Sequence, residues 1–220
     1  MQRGIITIPR FLMRVTSCAW QIDWRGQSAG AANDGSEQIV YNRVPRWVGS
    51  ANLSLQADLA RVWRSLIARG RGRVNCYSVP MIDPIARQSV SPAPDWRSAL
   101  TLYLNGAYVE ARPVIHCAVA AAAGASSITV DERGIGSPVR IGAILSVDSW
   151  PFVVVGRSGH GASAVLEIEM PLRRPVAVGA VIDLAARGLF VAAGDEMGWP
   201  SFEGSVFSAP SLSLSEWITR

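Results

Sequence analysis

The chain has 220 residues, 49% apolar and 17% charged, and 21 basic against 17 acidic side chains leave a net charge of +4. This composition excludes a disordered chain and allows one large or two small domains with packed cores. No apolar run is long enough to span a bilayer, and Pro9 and Arg10 break the apolar start, so neither membrane insertion nor a secretory signal is expected.

In chain order, short runs of Val, Ile, Leu, Tyr and Trp between Gly, Pro, Ser and Asn predict strands at residues 5–8, 12–22, 38–48 and 51–55. Residues 26–35 are small and polar, as in a mobile loop or the tip of a long hairpin. The segment ADLARVWRSLIARG places Leu59, Val62, Trp63, Leu66 and Ile67 at i, i+3, i+4, i+7 and i+8, the stripe of a helix packed on a sheet. Asp58 suits its first turn, Arg69 its last, and Gly70 the residue just past its end. Strands are expected at 73–81 and 99–104, separated by a proline-rich loop at 83–95.

From about residue 114 to 184 the texture changes. Short strands are expected at 127–131, 139–147, 152–156, 164–169 and 180–184, after the apolar run VIHCAV. Five short strands with frequent glycines predict a small barrel. Further strands at 189–192, 204–207 and 212–218 return to longer apolar stretches. The fold class expected is mainly β: a β-sandwich with one packed α-helix plus a second small β-barrel domain, inserted into the first. Residues 1–107 and 188–220 form the sandwich in this reading, and 108–187 the barrel.

The residues offer little chemistry. His116 and Cys117 are adjacent on a strand and point to opposite faces, so no metal site is expected. The turn Gly156-Arg157-Ser158-Gly159-His160 has His where a nucleophile elbow needs its second Gly, and no helix pattern follows. The absence of Lys excludes a Walker phosphate loop. Glu167 and Glu169 alternate with apolar residues and face outward from one strand, which favours simple solvation over a catalytic pair. Cys18, Cys76 and Cys117 are odd in number and widely spaced, as buried apolar residues would be. No catalytic, cofactor-binding or metal-ligating residue is assigned, no cofactor is expected, and the protein is not expected to be an enzyme.

Of the eight tryptophans, Trp20 and Trp63 lie in patterned elements and are expected in the core. Trp96, beside the proline-rich loop, and Trp199, between Gly198 and Pro200, are interface candidates. The arginines are spread along the chain, which favours a coding preference for Arg over a nucleic-acid patch.

Several segments together carry a family resemblance. A helix ending in Gly and the following GRGRVNCYSVPMIDP, residues 70–84, resemble a stretch of tail-tip proteins from long-tailed phages. Residues 124–184 then follow a similar phage pattern, marked by Gly124, Gly142, Gly161, Pro171, Leu172, Arg173 and Gly179, and APSLSLSEWITR resembles the closing strand. The chain thus resembles the distal tail proteins of siphophages, structural proteins of the baseplate or tail tip. The resemblance implies a homo-hexameric ring at the end of the tail tube, contacting the tail tube protein, the baseplate hub and tail fibre proteins. It implies passage of DNA through the lumen without specific binding, and a virion protein made in the host cytoplasm. Arg173 and its neighbour Arg174 join Trp96 and Trp199 as candidate interface residues. The alternatives are another tail subunit (terminator, tube or hub adaptor) or a carbohydrate-binding or cell-wall-degrading tail protein using exposed Trp with Glu167 or Glu169.

Overall fold

The computed structural model describes residues 3–31, 33, 34, 36–40, 44–84, 95–203 and 207–220. The first strands are β1 (Ile5–Thr7), β2 (Val15–Asp23), β3 (Gln27–Ala31), β4 (Glu37–Val40), β5 (Arg46–Leu53) and β6 (Leu55–Gln56). Helix α1 (Ala57–Gly70), β7 (Cys76–Pro80) and helix α2 (Trp96–Leu104) follow. Next come β8 (Val114–Val119), β9 (Ser127–Asp131), β10 (Ile144–Val147), β11 (Trp150–Ser158), β12 (Ala164–Glu169) and β13 (Val181–Asp183). The chain closes with β14 (Arg187–Ala192), β15 (Phe202–Glu203), β16 (Phe207–Ser208) and β17 (Ser211–Glu216). The fold is mainly β, with a packed helix.

Six strands form one mixed sheet in the order β1-β7-β14-β17-β5-β2; β1 pairs with β7 in parallel and the other pairs are antiparallel. Strict alternation along β5 buries Trp47, Gly49, Ala51 and Leu53 on one face. Trp20 lies opposite Gly49 in register, and its ring fills the space a Cβ on Gly49 would need, 2.2 Å away. The same ring meets Phe190 of β14 at 5.4 Å between centroids. Helix α1 buries the predicted stripe, including Leu59, Trp63, Leu66 and Ile67. The Trp63 indole N–H donates to the Gly198 carbonyl at 2.7 Å, so the largest core side chain also has its polar atom satisfied.

The middle of the chain closes into a barrel, β10-β11-β12-β9-β8-β13. Its interior is filled from alternate strand positions by residues such as Ile128, Leu145, Phe152, Leu166 and Ile182. A bulge in β11 between Val154 and Gly156 bends that strand against β12. The buried Glu132 clamps the adjoining loop, accepting from the Val139 N–H at 2.8 Å and from Arg157 at 3.0 Å. Strands of the large sheet thus come from residues 5–80 and 187–216, and those of the barrel from 114–183.

Several sequence expectations change. The barrel has six strands where five were counted, because β8 closes it between β9 and β13. Residues 99–104 are helical, not extended. Asp95 caps α2 by accepting from the Arg97 N–H, and Trp96, Ala99, Leu100 and Tyr103 recur at helical spacing. Residues 10–12 form a 3-10 turn ahead of β2, and the run 38–48 is split between β4 and β5. Residues 27–31 form a strand, while most of the proline-rich loop, 85–94, and residues 204–206 lie outside the described residues. Helix α1 ends one residue later than Gly70 suggested: Arg71 is the left-handed cap, with φ 51°. Gly70 is required inside the helix because the Tyr77 ring leaves no room for a Cβ there.

Candidate functional site

The two edges of the large sheet differ in kind. At one edge β1 is only three residues long. At the other, β2 runs for nine residues, with a bulge between Val15 and Ser17 and no proline. Beyond β2 and β5 the chain continues as the β3–β4 hairpin, a separate two-stranded sheet. Among the described residues these strands pair with each other and with no other strand. On this arm Ile39 is 64% and Val40 54% exposed, and they project to opposite faces of the same strand. An isolated two-stranded hairpin is marginally stable in water. Apolar side chains on both faces of such an arm call for cover from another surface.

Sheet and barrel are joined by buried polar clasps. Arg187 at the start of β14 makes a two-pronged ion pair with Glu110, at 2.8 and 2.9 Å, and donates to the carbonyls of Ile8 and Ser78. Glu110 also accepts from the Arg10 N–H at 3.1 Å. Nearby, Asp183 of β13 pairs with Arg112 at 3.1 Å, and burial raises its carboxyl above the usual range despite that arginine. A second clasp holds Trp47, whose indole N–H donates to the Pro151 carbonyl at 2.9 Å and whose backbone N–H donates to Glu216 at 3.0 Å. Burial pushes the Glu216 carboxyl up as well. Arg220 stacks 3.5 Å above the Trp150 ring and donates to the Ser149 carbonyl, and burial pulls its guanidinium down to about 10.

The four candidate interface residues fall in three places. Trp199 is 49% exposed in the turn before β15. Trp96 is half-buried against the core at the start of α2, with the Arg97 guanidinium 4.5 Å over its ring. Arg173 is turned inward, donating to the Pro45 carbonyl and lying 3.9 Å from Glu216. Arg174 is exposed and donates to the Arg220 carbonyl at 3.3 Å. Only the two arginines share a neighbourhood, at the sheet–barrel junction. The arm residues Ile39 and Val40 went unsingled in the sequence, although the unbroken pattern of residues 38–48 carried them. The clasp residues Arg187, Glu110 and Trp47 gave no sequence signal, because their partners lie 77 to 179 positions away.

The chemistry-bearing residues are scattered. Among the described residues no three His, Cys, Asp or Glu side chains come together as a metal site. His116 and His160 are both exposed, on β8 and in the turn before residue 161. Glu167 and Glu169 face outward on β12, and the Glu167 carboxylate lies across Gly156, where it occupies the space of a Cβ. Cys76 and Cys117 are buried and Cys18 half-buried, all three as free thiols whose pKa is raised by burial. Among the described residues no helix is long and apolar enough to cross a membrane. Compared with models of known protein families and with curated proteins, the chain matches none of either.

Proposed function

We propose that this chain is a structural subunit of a bacteriophage tail tip, of the distal-tail type, whose copies join into a ring at the end of the tail tube. The observation that carries the reading is the long edge strand β2 running on into the β3–β4 arm, with Ile39 and Val40 in solvent. Beyond the bulge at its start, a proline-free edge strand of this length is a template for backbone pairing with another chain. The opposite edge, β1, offers a second and different surface. Two unlike surfaces on one sheet suit the head-to-tail contacts from which closed rings are built.

The resemblance of residues 70–84, 124–184 and 209–220 to distal tail proteins supplies the setting: a sixfold ring in the virion, assembled from protein made in the host cytoplasm. In this reading the tail tube protein binds one side of the ring. The barrel faces the baseplate hub and tail fibre proteins on the other, and DNA passes through the lumen without sequence-specific contact.

Native mass spectrometry and negative-stain imaging of the purified chain test the reading. A ring-sized assembly is expected, and the double variant Ile39→Asp/Val40→Asp should dissociate it while leaving the circular dichroism spectrum unchanged. A strictly monomeric particle at high concentration, with no affinity for tail-tube or hub proteins, would overturn the proposal.

A further inference from the structure

The arginines look dispersed along the sequence, but five of them are gathered on one part of the surface. Arg61, Arg64 and Arg69 stand on the exposed side of α1, Arg64 and Arg69 towards its two margins, and Arg71 and Arg73 lie in the turn that follows the helix; all five are exposed. Two are neutralised: Arg61 by Asp58 and Arg73 by Asp195. Among the described residues, no salt bridge joins Arg64, Arg69 or Arg71 to an acid, and Glu196 follows Asp195 in the chain. We infer that this face of α1 is a contact surface for the phosphodiester backbone of nucleic acid.

The composition of the face argues for phosphates over a protein partner. Protein interfaces accept arginine readily, but around an apolar centre. Besides Ala57 and Asp58 in its first turn, the exposed side of this helix presents Ser65 and Ala68 between the arginines, with the half-buried Val62 and the exposed Val74 at its margins. Backbone phosphates need no apolar contact; they need guanidinium groups, which bind them in a fork. From Arg61 to Arg71 the face spans roughly 15 Å at the helical rise. Duplex DNA carries one charge per ~1.7 Å of axis, so several phosphates lie within reach. On this inference the exposed side of the helix with its flanking arginines is a tracker of backbone phosphates and not a helix seated in the major groove, where an arginine would read guanine, so binding is expected to depend little on sequence. The inference does not depend on ring formation, because the face belongs to a single copy.

Fluorescence anisotropy with a labelled random-sequence DNA duplex tests it. Three phosphates neutralised predict a loss of about 40-fold in affinity between 50 and 200 mM NaCl. Arg64→Gln alone should reduce the log–log salt slope by about one. The triple variant Arg64→Gln/Arg69→Gln/Arg71→Gln should bind at least ~10-fold more weakly at low salt, with its circular dichroism unchanged. The control Arg14→Gln/Arg25→Gln/Arg140→Gln removes the same charge from exposed positions elsewhere and should bind nearly as the parent does. Three results would overturn the inference: no binding at 50 mM NaCl, equal weakening in the control, or displacement of the duplex by polyglutamate as effectively as by unlabelled DNA.

Discussion

Two buried residues show how little room single positions leave. Gly49 has no side chain because the Trp20 ring lies where its Cβ would be. Gly49→Ala forces that ring off Phe190 and is expected to cost roughly 1–3 kcal/mol, read as a lower urea midpoint with an unchanged m-value. Glu216 makes a different demand. Its folded pKa is raised by burial above the ordinary 4.5, so the fold favours the protonated form. Its contribution is therefore most favourable below the ordinary value and declines as pH rises from there through the raised folded pKa. Glu216→Gln keeps an acceptor for the Trp47 N–H and removes the charge, so the fall in melting temperature from pH 4 to pH 8 should be smaller than in the parent. An equal or steeper fall would count against this account.

At the scale of elements, local rules held where one periodicity dominated and slipped where a neighbour intervened. Strands β9 and β12 fall at the residues their alternation indicated, because each buries one face in the barrel and wets the other. Helix α1 was legible from its stripe, but its end was set by Tyr77, which needs a glycine inside the last turn and pushes the left-handed position onto Arg71. A non-glycine residue in that conformation costs roughly 1 kcal/mol. Arg71→Gly should therefore raise the melting temperature by about 2–4 °C, whereas Gly70→Ala should lower it, both measured by calorimetry. Helix α2 carried a usable signal in Asp95 and the spacing of Trp96, Ala99, Leu100 and Tyr103. The short run of Leu, Thr and Tyr at its end fits a strand equally well, and only packing on the turn at Arg10–Leu12, through Phe11 and Tyr103, separates the two.

For the whole molecule, the decisive contacts are long-range and polar. Arg187 and Glu110 tie the large sheet to the approach to the barrel, with side-chain exposures of 9% and 17%. Arg187→Met leaves Glu110 without the partner of its two-pronged ion pair, and is expected to cost about 3–5 kcal/mol. The double variant Arg187→Met/Glu110→Leu should recover part of that loss, since replacing a buried pair together with apolar groups is far milder than removing one member. Denaturant melts of the three variants in a double-mutant cycle check this. If the single and double variants were equally destabilised, the clasp would be acting through packing alone. Which strands stand at the two edges of the sheet is also a property of the assembled molecule, since strand order, not strand sequence, decides which strand is outermost.

By itself the sequence determined the mainly-β class, the α1 stripe and the texture change near residue 114, because all three follow from hydrophobic spacing along short stretches of chain. Tertiary structure alone decided that β2 stands at an edge and that the barrel closes with six strands. It also gathered five arginines on one helix face and its adjoining turn, and placed Arg187 against Glu110. Those outcomes depend on which distant segments meet, and local periodicity says which face of an element is buried without saying against what.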